Sequence, residues 1–251
     1  MGKTPTIKNE KTKWIIVGLL VVSVVVLLGL LVRLILSSGE TGRIEAPDDV
    51  ATMKVPSIAG EDASLIYFAG ELQQEIPEDV PVIEVFSDFL CPYCGQFENL
   101  NGSFLQGKSE RGEIVLVLHP ISILDRFTPK TQFSTRTASA AFEVAENDPD
   151  KFIDFYSKLF AVQPSEKDVP RNVTEWISKQ ATEIGVSAIV IDNFTEARFG
   201  PYVLHETQVI MSGGIVQGTP TIAINGELVP ENVNILDPEQ FSSYVDQVTG
   251  E

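Results

Sequence analysis

The sequence predicts an α/β domain, in which a small central mixed sheet is flanked by helices and carries a helical insertion, preceded by one transmembrane helix. Three observations lead to this prediction. An uncharged apolar run occupies residues 14–32. Short β-branched runs lie on both sides of a long block with helical periodicity, and an Asn-Gly pair joins two strand-like segments near the C-terminus. With 251 residues, 43% of them hydrophobic, the chain can bury one core and carry an appendage.

The apolar segment over residues 14–36 is predicted to be an uncleaved single-pass anchor. At about 1.5 Å per residue, its uncharged part nearly crosses a hydrocarbon core of roughly 30 Å. Four lysines precede the segment and acids dominate after Gly39, so the positive-inside rule keeps residues 1–13 cytoplasmic and the C-terminal bulk outside. A cleaved signal peptide is the alternative, but its apolar core is normally shorter and ends in a small-residue cleavage site.

The charge distribution argues against a nucleic-acid partner. The net charge of -17 includes five basic residues and one acid within residues 1–36, which leaves 13 basic against 34 acidic side chains in the remainder. Such an acidic surface repels phosphate backbones. We therefore expect no nucleic-acid partner, and solubility outside the cell accounts for the acidity.

Residues 37–62 are predicted to be a stalk, because they are polar, contain Gly, Pro and acids, and show no sustained period. The folded domain is predicted over residues 63–251 and begins with a strand at 64–68. A central strand follows over 82–89, rich in β-branched and aromatic residues. Alternation puts Glu84 and Asp88 on one of its faces, together with Val82 and Phe86.

The remaining elements follow in order. A second core strand is predicted over 113–119, and an insertion over about residues 125–214 carries helices at 134–146, 150–162, 172–184, 187–197 and 201–211. A hairpin with an Asn-Gly turn covers 221–229. A last helix begins with Asp237 as N-cap, Pro238 as its first residue and Gly250 beyond its end. Without the insertion, a small mixed sheet remains with a helix on each face.

The only two cysteines, Cys91 and Cys94, follow the central strand and open a helix predicted over 96–105. A disulfide that closes so short a loop removes little chain entropy, so the pair is a poor structural staple. Pro92 suits a first helical turn because its missing N–H costs nothing there. The helix N-terminus lowers the pKa of Cys91. We expect Cys91 to be the exposed nucleophile and Cys94 the more buried resolving cysteine.

Two other roles are open to such a cysteine pair. Half of a zinc site would need two further ligands, for which only His119 and His205 are available, far apart in the sequence. An inert local disulfide would not explain a position directly after a strand and at a helix start. We expect neither a metal nor another cofactor.

With these motifs the sequence resembles the DsbA-like branch of the thioredoxin fold, over roughly residues 62–249. The resemblance rests on VIEVFSDFLCPYCGQFE at 82–98, the strand ending His119-Pro120, the helical block, and VQGTPTIAING at 216–226. It implies that the block is inserted into a thioredoxin core. It also implies a cis peptide at Thr219–Pro220, in a loop that faces the cysteines. The residues expected to tune the site are Pro92, Tyr93, Thr219 and Pro220.

The chain departs from the family pattern at two places. Tyr93 stands where the best-known members have histidine, and a neutral side chain does not stabilise the thiolate electrostatically, so we expect a milder oxidant. The acid that relatives bury beneath the cysteines has no clear counterpart. Glu84 lies seven residues before Cys91 and Asp88 three before it, and either could relay the proton of Cys94.

The resemblance implies an extracytoplasmic thiol–disulfide oxidoreductase at the cell membrane that introduces or exchanges disulfides in exported proteins. It also implies a membrane redox partner that reoxidises the dithiol. A reductase or isomerase of the same fold is the alternative, since Tyr93 and Thr219 do not fix the direction of transfer. A redox-inactive adaptor domain belongs to a different class, and the intact cysteine pair argues against it.

Overall fold

The computed structural model describes residues 19–28, 42–47 and 49–250. The chain divides into two compact units, Met1–Gly42 and Arg43–Glu251. Residues 19–28 are helical, and the rest of the anchor predicted over 14–36 lies outside the described residues, as do residues 1–13. Among the residues that the structure describes, no helix is both long and apolar enough to cross a membrane.

Within residues 49–250, six strands form one mixed sheet. They are β1 (Leu65–Phe68), β2 (Glu71–Gln73), β3 (Val82–Ser87), β4 (Val115–Pro120), β5 (Thr221–Ile224) and β6 (Glu227–Leu228). Their order across the sheet is β2-β1-β4-β3-β5-β6. Strands β3 and β4 are parallel, and every other neighbouring pair is antiparallel. The predicted mixed sheet is confirmed, and a short strand forms each of its edges.

Strand β2 is absent from the sequence-based prediction, which ends the first strand at Ala69-Gly70. In the structure these two residues form a hairpin turn with φ angles of 53° and 86°, and Phe68 pairs with Glu71. Two left-handed residues match the twist of the flanking strands. The turn gives little sequence signal because alanine rarely adopts a positive φ.

The helices that follow β3 agree with most of the predicted positions. They are α1 (Pro92–Glu110), α2 (Phe133–Asn147), α3 (Phe152–Ala161), α4 (Val173–Ile184), α5 (Ala188–Asn193), α6 (Gly200–Ser212) and α7 (Pro238–Thr249). Asn172 caps α4 and Asp237 caps α7, each through its side chain. Gly185 and Gly250 end these helices in left-handed conformation, and the position of Gly250 beyond the last helix is as predicted.

Helix α1 is longer than predicted at both ends. It continues through Gly102 and Gly107 to Glu110, and Gly112 follows with a φ of 73°. An internal glycine costs a helix roughly 1 kcal/mol relative to alanine. Burial of Phe97 and Leu105 against the sheet outweighs this cost.

Helices α1 and α7 lie on the same face of the sheet, which corrects the prediction of one helix on each face. The rings of Phe97 and Phe241 meet edge to face with centroids 5.3 Å apart, and both pack in the core that contains Val85. On the opposite face, Ile210 of α6 packs with Phe86. Successive residues of β3 therefore face two different layers of helices.

The segment predicted as a stalk over residues 37–62 is part of the folded unit from residue 43 onward. Ile44 is buried, and its N–H donates to Oε1 of Gln132 while its carbonyl accepts from Nε2, both at 2.7 Å. A Cβ at Gly200 would lie 2.8 Å from the Ile44 side chain, so this glycine provides the space. The sequence does not reveal this contact, because a single isoleucine in a polar segment forms no periodic apolar pattern.

Candidate active site

Cys91 and Cys94 lie at the start of α1, as predicted. Cys91 is the N-cap, with an extended backbone, and Pro92 follows in the first turn. The carbonyl of Cys91 accepts the first hydrogen bond of the helix from Gly95 N at 3.1 Å. Both cysteines are free thiols, and the unpaired N–H groups of the first turn lie beside the Cys91 sulfur.

The loop that precedes β5 lies against Cys91. The Cys91 thiol donates to the carbonyl oxygen of Thr219, at 3.2 Å from Sγ, and the Thr219–Pro220 peptide is cis. Strand β5 brings this loop into place, because Thr221 pairs with Phe86 near the end of β3. The structure therefore brings together the cysteines and the Gly-Thr-Pro segment that the sequence singled out.

Cys91 is less accessible than the sequence predicts. Its exposed fraction is 5%, against 1% for Cys94, whereas Tyr93 between them is 60% exposed. Cys91 is thus the more accessible thiol, but the prediction of an exposed Cys91 is wrong. Thr219, far away in the sequence, lies against the sulfur, and the spacing of the motif does not reveal such a contact.

The two thiols have opposite pKa shifts. A hydrogen bond from the Cys94 thiol is the largest cause that lowers the pKa of Cys91 to about 6. The side chain of Thr219 and the N–H groups of Cys94 and Tyr93 lower this pKa further, against the effect of burial. Burial and the neighbouring Cys91 raise the pKa of Cys94 well above its ordinary value. The negative charge therefore resides on Cys91, while Cys94 keeps its proton.

Asp88 lies immediately before the cysteine turn and is completely buried. Its two carboxylate oxygens accept from the N–H groups of Leu90 at 2.8 Å and Leu124 at 2.9 Å. Its carbonyl accepts from Cys91 N at 2.9 Å. Burial raises the pKa of this carboxyl group to about 7, so a buried acid of unusual pKa shares the turn with the cysteines.

Glu84 lies on the opposite face of the sheet, away from α1. Its Oε2 is 3.3 Å from Nε2 of His119, and its side chain is 28% exposed. The His119 ring stacks on Phe86 at a centroid distance of 4.0 Å. The structure separates the two predicted relay candidates because β3 ends at Ser87, so Asp88 no longer follows the alternation that governs Glu84.

Two groups near the site have no counterpart in the sequence-based prediction. The hydroxyl groups of Tyr156 and Ser87 are 2.6 Å apart, and burial raises the pKa of Tyr156 well above its ordinary value. The side-chain amide of Gln163 donates to the carbonyl oxygens of Phe89 and Cys91. Tyr156 lies within the helix predicted over 150–162, but no role at the site is predicted for it, and nothing in the sequence marks Gln163.

The two histidines do not meet at the cysteines. His205 Nδ1 lies 2.9 Å from Glu206 Oε1, and His119 Nδ1 lies 2.9 Å from the carbonyl oxygen of Asp62. Over the described parts of the chain, no cluster of three or more His, Cys, Asp and Glu side chains could hold a metal ion.

Comparison with known proteins agrees with this geometry. Serine/threonine-protein kinase PknE of Mycobacterium tuberculosis is 26% identical over 169 residues, which are 65% of this chain and 29% of the kinase. This chain thus spans less than a third of that relative. Disulfide bond formation protein D of Bacillus subtilis is 26% identical over 178 residues, 68% of this chain and 73% of that protein.

The solved structures agree as well. The reduced form of the disulfide bond oxidoreductase DsbG from Mycobacterium tuberculosis matches with a TM-score of 0.62 and 25% identity, over 77% of this chain and 91% of that one. The family described as Thioredoxin matches residues 77–247, a range that holds both cysteines and the cis-proline loop. Because that match takes in more than half of the chain, the protein belongs to the thioredoxin family.

Proposed function

We propose that this protein is a thiol–disulfide oxidoreductase that oxidises cysteines in exported proteins through the Cys91–Cys94 couple. The observation that carries the proposal is the Cys91 sulfur at the start of α1, 3.2 Å from the carbonyl oxygen of Thr219 beside a cis-proline. The lowered pKa of Cys91 and the raised pKa of Cys94 support it, because they assign a nucleophile and a resolving thiol.

The proposed exchange starts from the oxidised couple. A substrate thiolate attacks Cys91 Sγ, a substrate–Cys91 disulfide forms, the Cys91–Cys94 bond breaks, and Cys94 leaves as a thiolate that takes up a proton. A second substrate thiolate then attacks the substrate sulfur, and Cys91 leaves as a thiolate. The substrate loses two electrons, which the cysteine pair gains. A leaving thiol with a pKa of about 6 departs readily.

Asp88 is the proposed partner for the proton of Cys94, in preference to Glu84. The support is its complete burial, its position in the cysteine turn and a pKa raised to about 7 by that burial. A group with such a pKa can both donate and accept a proton near neutral pH. Glu84 contacts His119 on the other face of the sheet instead.

The proposal includes a location and a redox partner. Residues 14–36 would anchor the chain in the cell membrane with residues 1–13 in the cytoplasm and the thioredoxin-family domain outside. A membrane protein would accept the two electrons from the reduced pair. The uncharged run and the four preceding lysines support this topology, and protease treatment of intact cells should digest the domain but spare the N-terminus.

The redox direction is tested by equilibrating the Cys91–Cys94 couple with glutathione. An oxidase requires a reduction potential well above that of thioredoxin, about −270 mV. A value as low as thioredoxin's would overturn the oxidase direction and support a reductase. An isomerase is the other alternative, since Tyr93 and Thr219 do not fix the direction of transfer.

The exchange itself is tested by trapping. A Cys94→Ala variant should accumulate mixed disulfides through Cys91, because no resolving thiol remains to release the substrate. The matched control is the Cys91→Ala variant, which should trap nothing. If neither variant captures a protein and the wild type neither oxidises nor reduces a dithiol peptide, the domain is an adaptor and the proposed function is wrong.

A further inference from the structure

Gln163 connects the helical block to the turn that carries the cysteines. It follows α3, and its backbone N–H donates to the carbonyl of Phe160 at 3.3 Å. Its side-chain Nε2 donates to the carbonyl oxygen of Phe89 at 2.7 Å and to that of Cys91 at 3.0 Å. Both hydrogens of one amide group are therefore used on the two carbonyls that flank Leu90.

The glycine after the second cysteine provides the space for this amide. A Cβ at Gly95 would collide with Oε1 of Gln163. Both residues line an open cleft beside the start of α1, together with Pro92. Gly95 is thus explained by a contact to a residue far away in the sequence, rather than by the helix that contains it.

The hydrogen bonds of Gln163 act on the peptide groups that orient the nucleophile. The carbonyl of Cys91 accepts from Gln163 and also from Gly95 N, at 3.1 Å, the first hydrogen bond of α1. The N–H groups of Tyr93 and Cys94, which stabilise the Cys91 thiolate, belong to the same turn. A shift of this turn would move the sulfur relative to its donors.

We propose that Gln163 is a positioning residue for the redox couple: its amide holds the Phe89 and Cys91 carbonyls and so keeps the Cys91 sulfur aligned with the N–H groups at the start of α1. The inference rests on the proposed function, in which Cys91 is the reacting thiol. It assigns the helical block a direct part in the chemistry of the cysteine pair, through one side chain.

The test compares Gln163→Met with Gln96→Met. Methionine keeps the length of the side chain and removes the donors, and Gln96 is an exposed glutamine that lines the same cleft. In Gln163→Met we expect the pKa of Cys91, followed by thiolate absorbance, to rise by about half a unit or more. We expect the equilibrium with glutathione to shift about threefold towards the disulfide, because the reduced form loses thiolate stabilisation. Gln96→Met should change neither quantity.

A double-mutant cycle with Gly95→Ala shows whether the glycine acts through the same amide. Gly95→Ala alone should raise the pKa of Cys91 by a similar amount, because the new methyl group displaces the Gln163 side chain. Adding Gly95→Ala to Gln163→Met should have little further effect, since the clash is already gone. Additive shifts would contradict the assigned contact.

The outcomes separate this inference from the proposed function. If Gln163→Met lowers the melting temperature but leaves the Cys91 pKa and the glutathione equilibrium at wild-type values, Gln163 is only structural and the inference is wrong. If the wild-type cysteines never equilibrate with glutathione, the proposed function fails instead. The thiolate titration of Cys91 still decides the role of Gln163 in that case.

Discussion

The two faces of the central sheet differ in what they do to ionisable groups. The face towards α1 carries a continuous apolar core in which Val85, Phe89 and Cys94 pack together. The opposite face is divided between two smaller apolar clusters and a polar pair, His119 and Glu84, beside one of them. Neighbouring residues of one strand, β3, thus face two different environments.

This difference shows that the pKa of an ionisable side chain depends on the face of the sheet on which it lies. On the α1 side, burial raises the pKa of Cys94, of Asp88 and of Tyr156. On the other side, Glu84 keeps 28% of its side chain in solvent and contacts a histidine. Glu84 follows the alternation of β3, whereas Asp88 lies beyond the end of the strand at Ser87, so the point at which β3 ends selects the acid that lies near the cysteines.

The largest predicted effect is the loss of thiol–disulfide exchange when the nucleophile on the α1 face of the sheet is replaced. Cys91→Ser should reduce oxidation of a dithiol peptide to the uncatalysed rate, because a hydroxyl cannot replace a thiolate in disulfide exchange. The control on the opposite face is Glu84→Gln, which we expect to retain activity within about twofold. A comparable loss in Glu84→Gln would contradict the separation of the two faces.

The next largest effect is on stability, and it compares how well side chains pack on the two faces of the sheet. Phe89 is 1% exposed and its ring contacts those of Tyr156 and Phe160, so Phe89→Ala should lower the free energy of unfolding by about 3–5 kcal/mol. Phe86 is 9% exposed and belongs to a smaller cluster, so Phe86→Ala should cost at least about 1 kcal/mol less. Urea denaturation of both variants measures the difference, and equal losses would show that the faces are equally well packed.

The third effect is the contribution of the buried Asp88 to the pH dependence of stability. It is measured in the oxidised protein, where the cysteines do not titrate. The pKa of Asp88 is raised to about 7, so the folded state binds more protons than the unfolded state between pH 4 and 7. Stability from this group is present at low pH and lost as the pH rises through about 7. Asp88→Asn should remove a decline of about 4 kcal/mol in the free energy of unfolding across this pH range. An unchanged slope of unfolding free energy against pH would mean that Asp88 is not the titrating group.

The smallest effect concerns the exposed residue between the cysteines. The rate of Cys91 alkylation should rise with a midpoint near pH 6 in the wild type. Tyr93→His should shift this midpoint down by about half a unit, because a protonated imidazole stabilises a nearby thiolate. Tyr93→Phe is the control and should keep the wild-type midpoint.

The same lowered pKa predicts how the stability of the reduced protein changes with pH. The folded state holds Cys91 as a thiolate above pH 6, whereas an unfolded cysteine remains protonated up to about 8.5. The unfolded state therefore binds more protons in this window, and the reduced form should gain stability over the oxidised form as the pH rises. Denaturation of both forms at pH 6 and pH 8 checks the sign.

The elements that the sequence predicts correctly have local causes. The predicted cap Asp237 acts within its own helix, and the turn at Asn225-Gly226 has positive φ at both residues. Strand β2 escapes prediction because Ala69 takes a left-handed conformation that alanine rarely adopts. Helices α1 and α7 lie on the same face of the sheet because residues distant in the chain pack against each other there, which no local pattern shows.

The site divides in the same way. The cysteine pair and the Gly-Thr-Pro loop are visible because each is a short motif with fixed spacing. The burial of Cys91 under Thr219 and the hydrogen bonds of Gln163 join residues about 70 or more positions apart, and no local pattern records such contacts. To choose between Glu84 and Asp88, one must know at which residue β3 ends. The ends of strands and helices are the features that sequence predicts least reliably.

The short strands at both edges of the sheet have a consequence under the proposed function, in which other polypeptide chains are the substrates. An edge strand presents unpaired N–H and C=O groups that can template a foreign strand and start aggregation. Strand β2 has three residues and β6 has two, so each offers only a few such groups. If unfolded polypeptides are the substrates, every turnover brings extended segments close to this sheet. Its short edges then reduce the chance that a client adds itself to the sheet and remains there.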